Sequence, residues 1–433
     1  MDPNSDLAYT RRGAAKAGQG DLDGAVADFN SAIELDRKSA MAYAARGSAN
    51  DERGDRYGAV ADFNHAIELD PKCASAYSGR AAVKADHGDL DGAIADNTIA
   101  IELDPNSPVV IINRGFTKNR KNDHEGAIAD FNHAIELDPK SASAYSGRAA
   151  AKIDIGDLDG AIADAARAIE LNPNSLPAVL NRGIAKAQKS DYEGATADFN
   201  RAIELNPKVA SAYSGRADAR IGMGNLDGAI IDCARAIELD RNSFVATLNL
   251  GIAKAQKSDN EGAIAAFTHA LELAPKSASA YFHRGICYYS QQDWLEAIAD
   301  LEAACRQNQP QEFAGLYACV ARQRLGKGEA ARNDFRERLA YRNKSNSSDW
   351  FSILAAFLLG DIDEATLLSN TRSPDETKTR QRLCEAWYFA GTRRLAAGQI
   401  AEAQSCFQKS VATDEKGYVE YHLAVVELRA LKK

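Results

Sequence analysis

Ala74–Ser107 reads ASAYSGRAAVKADHGDLDGAIADNTIAIELDPNS, and this stretch decides the fold. Tyr77, Ala81, Ala82 and Ala85 recur at helical spacing, and Ala93, Ile94, Asn97, Ala100 and Ile101 form a second stripe. Between them Gly88-Asp89 predicts a left-handed stop followed by an acidic helix cap. Leu103-Asp104-Pro105 ends the second helix, because proline cannot continue it. The stretch therefore predicts two helices, with small alanines that let them approach closely.

The same 34-residue frame runs from Asp6 to Gln311, nine times without insertion or deletion. Tyr9, Tyr43, Tyr77, Tyr145, Tyr213 and Tyr281 fall on it, as does an alanine in every unit from Ala25 to Ala297. A fixed period of this length predicts stacked helical hairpins, each covering the apolar face of its neighbour. A second period of 68 residues lies over the first. Ser143–Arg148 (SAYSGR) returns as Ser211–Arg216, and Asn181–Lys186 (NRGIAK) is answered by Asn249–Lys254 (NLGIAK). In one kind of unit the hairpin turns on Gly88, Gly156 or Gly224; in the other on Asn122, Ser190 or Ser258. The second kind is expected to be softer, since a serine in a left-handed position costs about 1 kcal/mol.

Tyr77, Ala81, Gly88, Ala93, Ala100 and Pro105 stand at the spacings of the tetratricopeptide repeat (TPR), and the chain resembles that family over Asp6–Gln311. A further match lies at Cys384–Gly417, through Trp387, Gly391, Gly398, Ala403 and Phe407. The resemblance implies an all-α, right-handed superhelix. Departures are mild: Asn97, Ala165 and Cys233 replace an aromatic, and Arg37 and Arg241 replace the terminal proline. The expected organisation is a nine-unit array over 1–311, less regular helix pairs over 312–383, and a final repeat with a capping helix over 384–433.

The seventh residue of a unit is arginine from Arg12 to Arg216, and sixteen residues later stands an aspartate, from Asp28 to Asp232. Both vanish in the eighth unit, leaving Leu250 and Ala266, and both return in the ninth as Arg284 and Asp300. Joint loss and joint return predict contact between the two helices of one unit. The expectation is a structural ladder of partly buried bridges, Arg114–Asp130 and Arg182–Asp198 among them.

Net charge is −9, with acids at every turn and cap, which argues against nucleic acid or an anionic membrane as the main partner. Seven cysteines, none in a CxxC pair, read as buried free thiols. No phosphate loop, HExxH, GxSxG or zinc-knuckle spacing occurs. His65, His133 and His269 share a slot that elsewhere holds arginine, so they read as a solvated face and not a metal site. No cofactor and no catalysis are expected. Met1–Thr10 carries no signal peptide or lipobox, so the chain as given reads as cytoplasmic and not inserted in a membrane, with the periplasm open if a signal was removed.

In TPR arrays the first helices line the concave surface. Groove-facing positions here are small in one kind of unit (Ser75, Ser78 and Ala82; Ser143, Ser146 and Ala150). In the other they are apolar: Val109, Ile112 and Phe116; Leu180 and Ile184; Val245, Leu248 and Ile252. The ninth unit adds Phe282, Ile286 and Tyr289. These would suit a protein or peptide inserting side chains at intervals, or they pack against neighbouring first helices. Lys84, Lys118, Lys152, Lys186 and Lys254 either edge that groove or lie along the stack. The lysine-and-asparagine clamp that grips chaperone tails is absent, its positions holding Thr10 and Ala14, Ala44 and Ser48, or Ile112 and Phe116.

Beyond Gln311 the frame breaks. Glu312–Tyr341 and Asp349–Leu368 read as degenerate pairs, with polar connectors at Arg342–Ser348 and Asn370–Thr379, and Tyr418–Leu431 as a solvating cap. Trp350, Phe357–Ile362 (FLLGDI), Cys384–Gly391 (CEAWYFAG) and Tyr418–Leu428 (YVEYHLAVVEL) resemble the C-terminal half of bacterial NlpI-type TPR lipoproteins. That resemblance implies a non-catalytic adaptor docking envelope hydrolases or proteases, often as a homodimer. Self-association and a regulatory subunit of a separate enzyme are the alternatives.

Overall fold

A computed structural model describes residues 5–307, 312–340 and 350–432. Among these residues every regular element is helical. The first helices of the nine repeats are α1 (Asp6–Ala17), α3 (Ala40–Glu52), α5 (Ala74–Asp86), α7 (Pro108–Arg120), α9 (Ala142–Asp154), α11 (Leu176–Gln188), α13 (Ala210–Gly222), α15 (Phe244–Gln256) and α17 (Ala278–Gln291). Their partners are α2 (Leu22–Leu35), α4 (Arg56–Leu69), α6 (Leu90–Leu103), α8 (His124–Leu137), α10 (Leu158–Leu171), α12 (Tyr192–Leu205), α14 (Leu226–Leu239), α16 (Asn260–Leu273) and α18 (Trp294–Cys305). Seven further helices follow: α19 (Glu312–Arg324), α20 (Gly328–Ala340), α21 (Trp350–Leu359), α22 (Glu364–Ser369), α23 (Glu376–Ala396), α24 (Ile400–Ala412) and α25 (Val419–Ala430). The expected boundary at Gln311 and the connector Arg342–Ser348 lie outside the described residues. The connector expected over Asn370–Thr379 is shorter than its composition suggests: Asp375 caps α23 and the helix is under way by Glu376.

The chain divides into two compact bodies, one up to Asn206 and one from Pro207 onward. Each is a stack of hairpins in which first helices touch the next first helix. Among the described residues second helices make no comparable contact with one another, so the first helices lie on the inner side of each stack.

Local chemistry repeats with the frame. Asp21, Asp55, Asp89, Asp123, Asp157, Asp191 and Asp259 cap the second helices, each accepting a main-chain N–H three residues on at 2.9–3.0 Å. The turns adopt a left-handed residue throughout: Gly88 has φ 83°, while Asn122, Ser190 and Ser258 hold φ 64–66° with a side chain present.

Packing explains the 68-residue period. Phe63 and Phe131 are fully buried, each ring lying between a glycine of its own repeat and one of the next. A Cβ on Gly79 would sit 2.4 Å from the Phe63 ring, and one on Gly147 would sit 2.5 Å from Phe131. On the near side a Cβ on Gly47 or Gly115 would lie 2.9 Å from the same rings. Where the aromatic is replaced by Asn97, Ala165 or Cys233, the facing glycine becomes Ala81, Ala149 or Ala217, all buried. The following repeat then carries asparagine: Asn181 donates to the Ser146 carbonyl at 3.0 Å and Asn249 to that of Ser214 at 3.4 Å. Volume is exchanged between neighbours, which makes a pair of repeats the natural copy.

Candidate functional site: the inner face of the first helices

The charged ladder organises each hairpin. In eight repeats the arginine grips its aspartate through Nε and Nη2 at 2.5–3.0 Å. The acids, Asp130 and Asp198 among them, are buried, and the guanidinium of Arg114 is 17% exposed. The free Nη1 of Arg46, Arg80, Arg114, Arg148 and Arg284 reaches the preceding repeat, at Asn30, Asn64, Thr98, Asn132 and Thr268. Each guanidinium also lies 4.9–5.8 Å from the ring of the register tyrosine three residues earlier, where the repeat has one. That contact explains why the tyrosines keep the frame. Hydrogen bonds from Arg12 hold the Asp28 carboxyl below its ordinary range; burial pushes Asp96 up, but Arg80 and Lys84 bring it below that range as well.

The lysines expected at a groove edge belong to this ladder instead. Lys84, Lys118, Lys152 and Lys186 place their ammonium groups 2.8–2.9 Å from the second oxygen of Asp96, Asp130, Asp164 and Asp198. One turn beyond the arginine on the same helix, they reach the same carboxylate. Lys254, in the repeat that lacks the acid, turns to the capping Asp259 at 3.6 Å. All five are committed within the chain and are not available as a basic rim.

The apolar positions separate into three groups. Val109 is 65% exposed, Val245 54%, Phe116 40% and Ile184 37%, while Leu180 is half-buried. Phe116 also sets its ring edge-on to Phe131, 5.2 Å between centroids, so it is anchored from below and open above. Ile112 is buried in the cluster around Ile111, Phe131 and Ala144, and it serves the stack. Leu248 and Ile252 are half-buried over Phe267 and Cys287.

At repeat 9 the inner face is closed by the chain itself. Tyr317 of α19 lies 6.0 Å from the rings of both Phe282 and Tyr289, and α23 brings Tyr388 onto Tyr289, so these two are buried; Ile286 is half-buried, and α25 also touches α17. The Tyr388 hydroxyl donates to Tyr289 at 3.0 Å. Tyr317 of α19 donates to Glu420, and Arg324 to Glu427. Tyr289 is therefore core and offers no surface to a partner. Helix α25 is likewise no merely solvating cap, because Glu420, Leu423, Ala424 and Glu427 share its buried face. Sequence reasoning missed this, although spacing i, i+3, i+4, i+7 put both acids on the apolar side. Nearby, Trp350 donates its indole N–H to Glu385. Burial and the charge of Glu420 push the Glu385 carboxyl up to about 8, and burial raises Glu420 too.

Among the described residues no group of His, Cys, Asp and Glu could hold a metal ion, and no helix is long and apolar enough to cross a membrane. All seven cysteines are free thiols, of which Cys73 and Cys305 are half-buried and the rest buried.

Tetratricopeptide repeat models match residues 7–39, 51–108, 120–175, 180–244 and 248–312. The chain belongs to the tetratricopeptide repeat family. Solved structures of similar fold include a TPR protein from Parabacteroides merdae, 20% identical, covering 57% of this chain and 98% of its own, with a TM-score of 0.47. MamA is 27% identical, covering 37% of this chain and 95% of its own, TM-score 0.33. YrrB, a TPR protein with an unusual peptide-binding site, is 22% identical, covering 42% and 95%, TM-score 0.34. Family membership and an inner face carrying solvent-exposed apolar side chains point to a protein-interaction scaffold.

Proposed function

We propose that this chain is a non-catalytic adaptor that holds an extended segment of a partner protein along α7, α9 and α11. Val109, Phe116, Leu180 and Ile184 would take the partner's apolar side chains, and the small residues of α9 would let its backbone lie close between them. The observation that carries the reading is the contrast within one repeated position: Phe116 and Ile184 stand open, whereas Ile286 of the same register is half-buried against the C-terminal helices. A solvated apolar side chain in a fixed frame is a site where a partner gains from burial. The resemblance of the C-terminal block to NlpI-type proteins supports partners among bacterial envelope enzymes and an assembly of two copies. The test is selection of linear peptides from a random display library, followed by anisotropy titration against wild type and a Phe116→Asp, Ile184→Asp variant. Selected peptides should bind the wild type and lose about tenfold or more on the variant, at about 1.4 kcal/mol per decade. Equal binding to both proteins would remove the site from this face.

A further inference from the structure

The first helices of repeats 8 and 9 and the face of α25 beside its buried one enclose a cavity of about 290 Å³. Ligand pockets run from about 300 to 1,000 Å³, so this one suits a small molecule or a few residues of chain. Val419, His422, Val426 and Arg429 line it from α25 at i, i+3, i+7 and i+10, and Ile252, Ile286 and Cys287 face them. Helix α25 thus docks with one face and leaves the neighbouring one incompletely filled.

The polar groups of the lining are of two kinds. Some are satisfied: Asn260 donates to Ser290 at 2.9 Å, Ser290 donates to the Cys287 carbonyl at 2.8 Å, and His422 uses Nε2 on the Lys416 carbonyl at 2.7 Å. Four have no hydrogen-bond or ion-pair partner within the described residues: the His283 imidazole, the half-buried Gln256 amide, the exposed Ser258 hydroxyl and the exposed Arg429 guanidinium. The His283 ring is held in place, stacked 5.6 Å from Phe267 and edge-on to Phe282 at 5.3 Å. Burial lowers its pKa to about 4, so it is a neutral donor at pH 7. The acids of α25 do not balance Arg429, because Glu420 and Glu427 are bound to Tyr317 and Arg324 on another face.

We propose that this cavity binds a small monocarboxylate with an apolar body, Arg429 pairing with the carboxylate while Ile252, Ile286 and Val426 enclose the rest. A free fatty acid of medium length and the carboxyl-terminal residues of a polypeptide share that chemistry. The site is separate from the face assigned above to the partner segment.

Calorimetric titration of the full chain tests it, with four probes: decanoate, decan-1-ol, a valine-terminated tetrapeptide acid and its amide. At least one acid should give saturable heat at one site per chain, with its neutral counterpart about tenfold or more weaker, as loss of a charged hydrogen bond requires. Which acid binds identifies the source of the carboxylate. Arg429→Gln, at an exposed position, should weaken the acid by about tenfold at unchanged helicity, and Ile286→Trp should abolish binding by filling the cavity. No saturable heat from either acid would overturn the proposal. So would binding of alcohol or amide as tight as the acid, or an Arg429→Gln titration identical to wild type.

Discussion

Removing one acid from the ladder has a cost that the structure sets. Asp130 is 4% exposed and accepts from Arg114 through two hydrogen bonds, at 2.9 and 2.7 Å, with Lys118 at 2.8 Å on its other oxygen. Asp130→Ala leaves two cations facing a void, and breaking a buried pair by removing one partner costs about 3–5 kcal/mol. Arg114 keeps the Thr98 hydroxyl and Lys118 keeps the Gly126 carbonyl, which places the loss at the lower end, about 3 kcal/mol. Repeat 8 supplies the control. There Leu250 and Ala266 replace the pair, Leu250 packs beside Ala253 and Ile221, and the lysine moves to its helix cap. Arg114→Leu with Asp130→Ala should therefore cost about 1 kcal/mol or less, since an apolar replacement of a buried pair is often close to neutral. Urea denaturation of wild type, both single variants and the double closes a thermodynamic cycle, with hydrogen exchange locating the change in α7 and α8. A coupling of about 2 kcal/mol or more is expected. A single variant within about 0.5 kcal/mol of wild type, or a double equal to the sum of the singles, would refute the reasoning.

Three other outcomes follow from the same geometry. Gly147→Ala should destabilise by about 1–3 kcal/mol through overpacking against Phe131, whereas the equally conservative Gly156→Ala acts through its left-handed backbone alone; urea midpoints for both measure the difference. Ser190→Gly should stabilise its hairpin by up to about 1 kcal/mol and slow amide exchange at the α11–α12 turn, because φ is 64° there. Glu385 carries a raised pKa, so the folded state binds the proton more tightly than the unfolded one. Its contribution is full below the unfolded value near 4.5 and is lost as pH rises through about 8. Stability of the body from Pro207 onward, followed by Trp350 fluorescence in urea, should fall across that window, and Glu385→Gln should flatten the decline.

Much of this was legible in the residues. The 34-residue frame, the caps and the turns of repeats 1 to 9 follow from periodicity, glycine and aspartate alone. The Arg–Asp pairs were visible because Leu250 and Ala266 replace both partners at once. Lys118 lies one turn from Arg114, and only side-chain reach shows that both meet Asp130. The 68-residue period was seen, but its cause was not. Yet Phe29, Phe63, Phe131, Phe199 and Phe267 coincide with Gly13, Gly47, Gly115, Gly183 and Gly251, a ring-for-glycine exchange written in the sequence. The fate of the inner face at Tyr289 was out of reach from local pattern, since it depends on Tyr388, 99 residues away in sequence. The cavity beside α25 depends on how that helix lies and has no periodic signature at all.

The most direct measurement is hydrogen exchange, read by mass spectrometry, of the full chain with and without a display-selected peptide at saturation. The account predicts added protection in α7, α9 and α11, with α8, α10 and α12 unchanged. Protection confined to the second helices, or found only beyond Pro207, would contradict it.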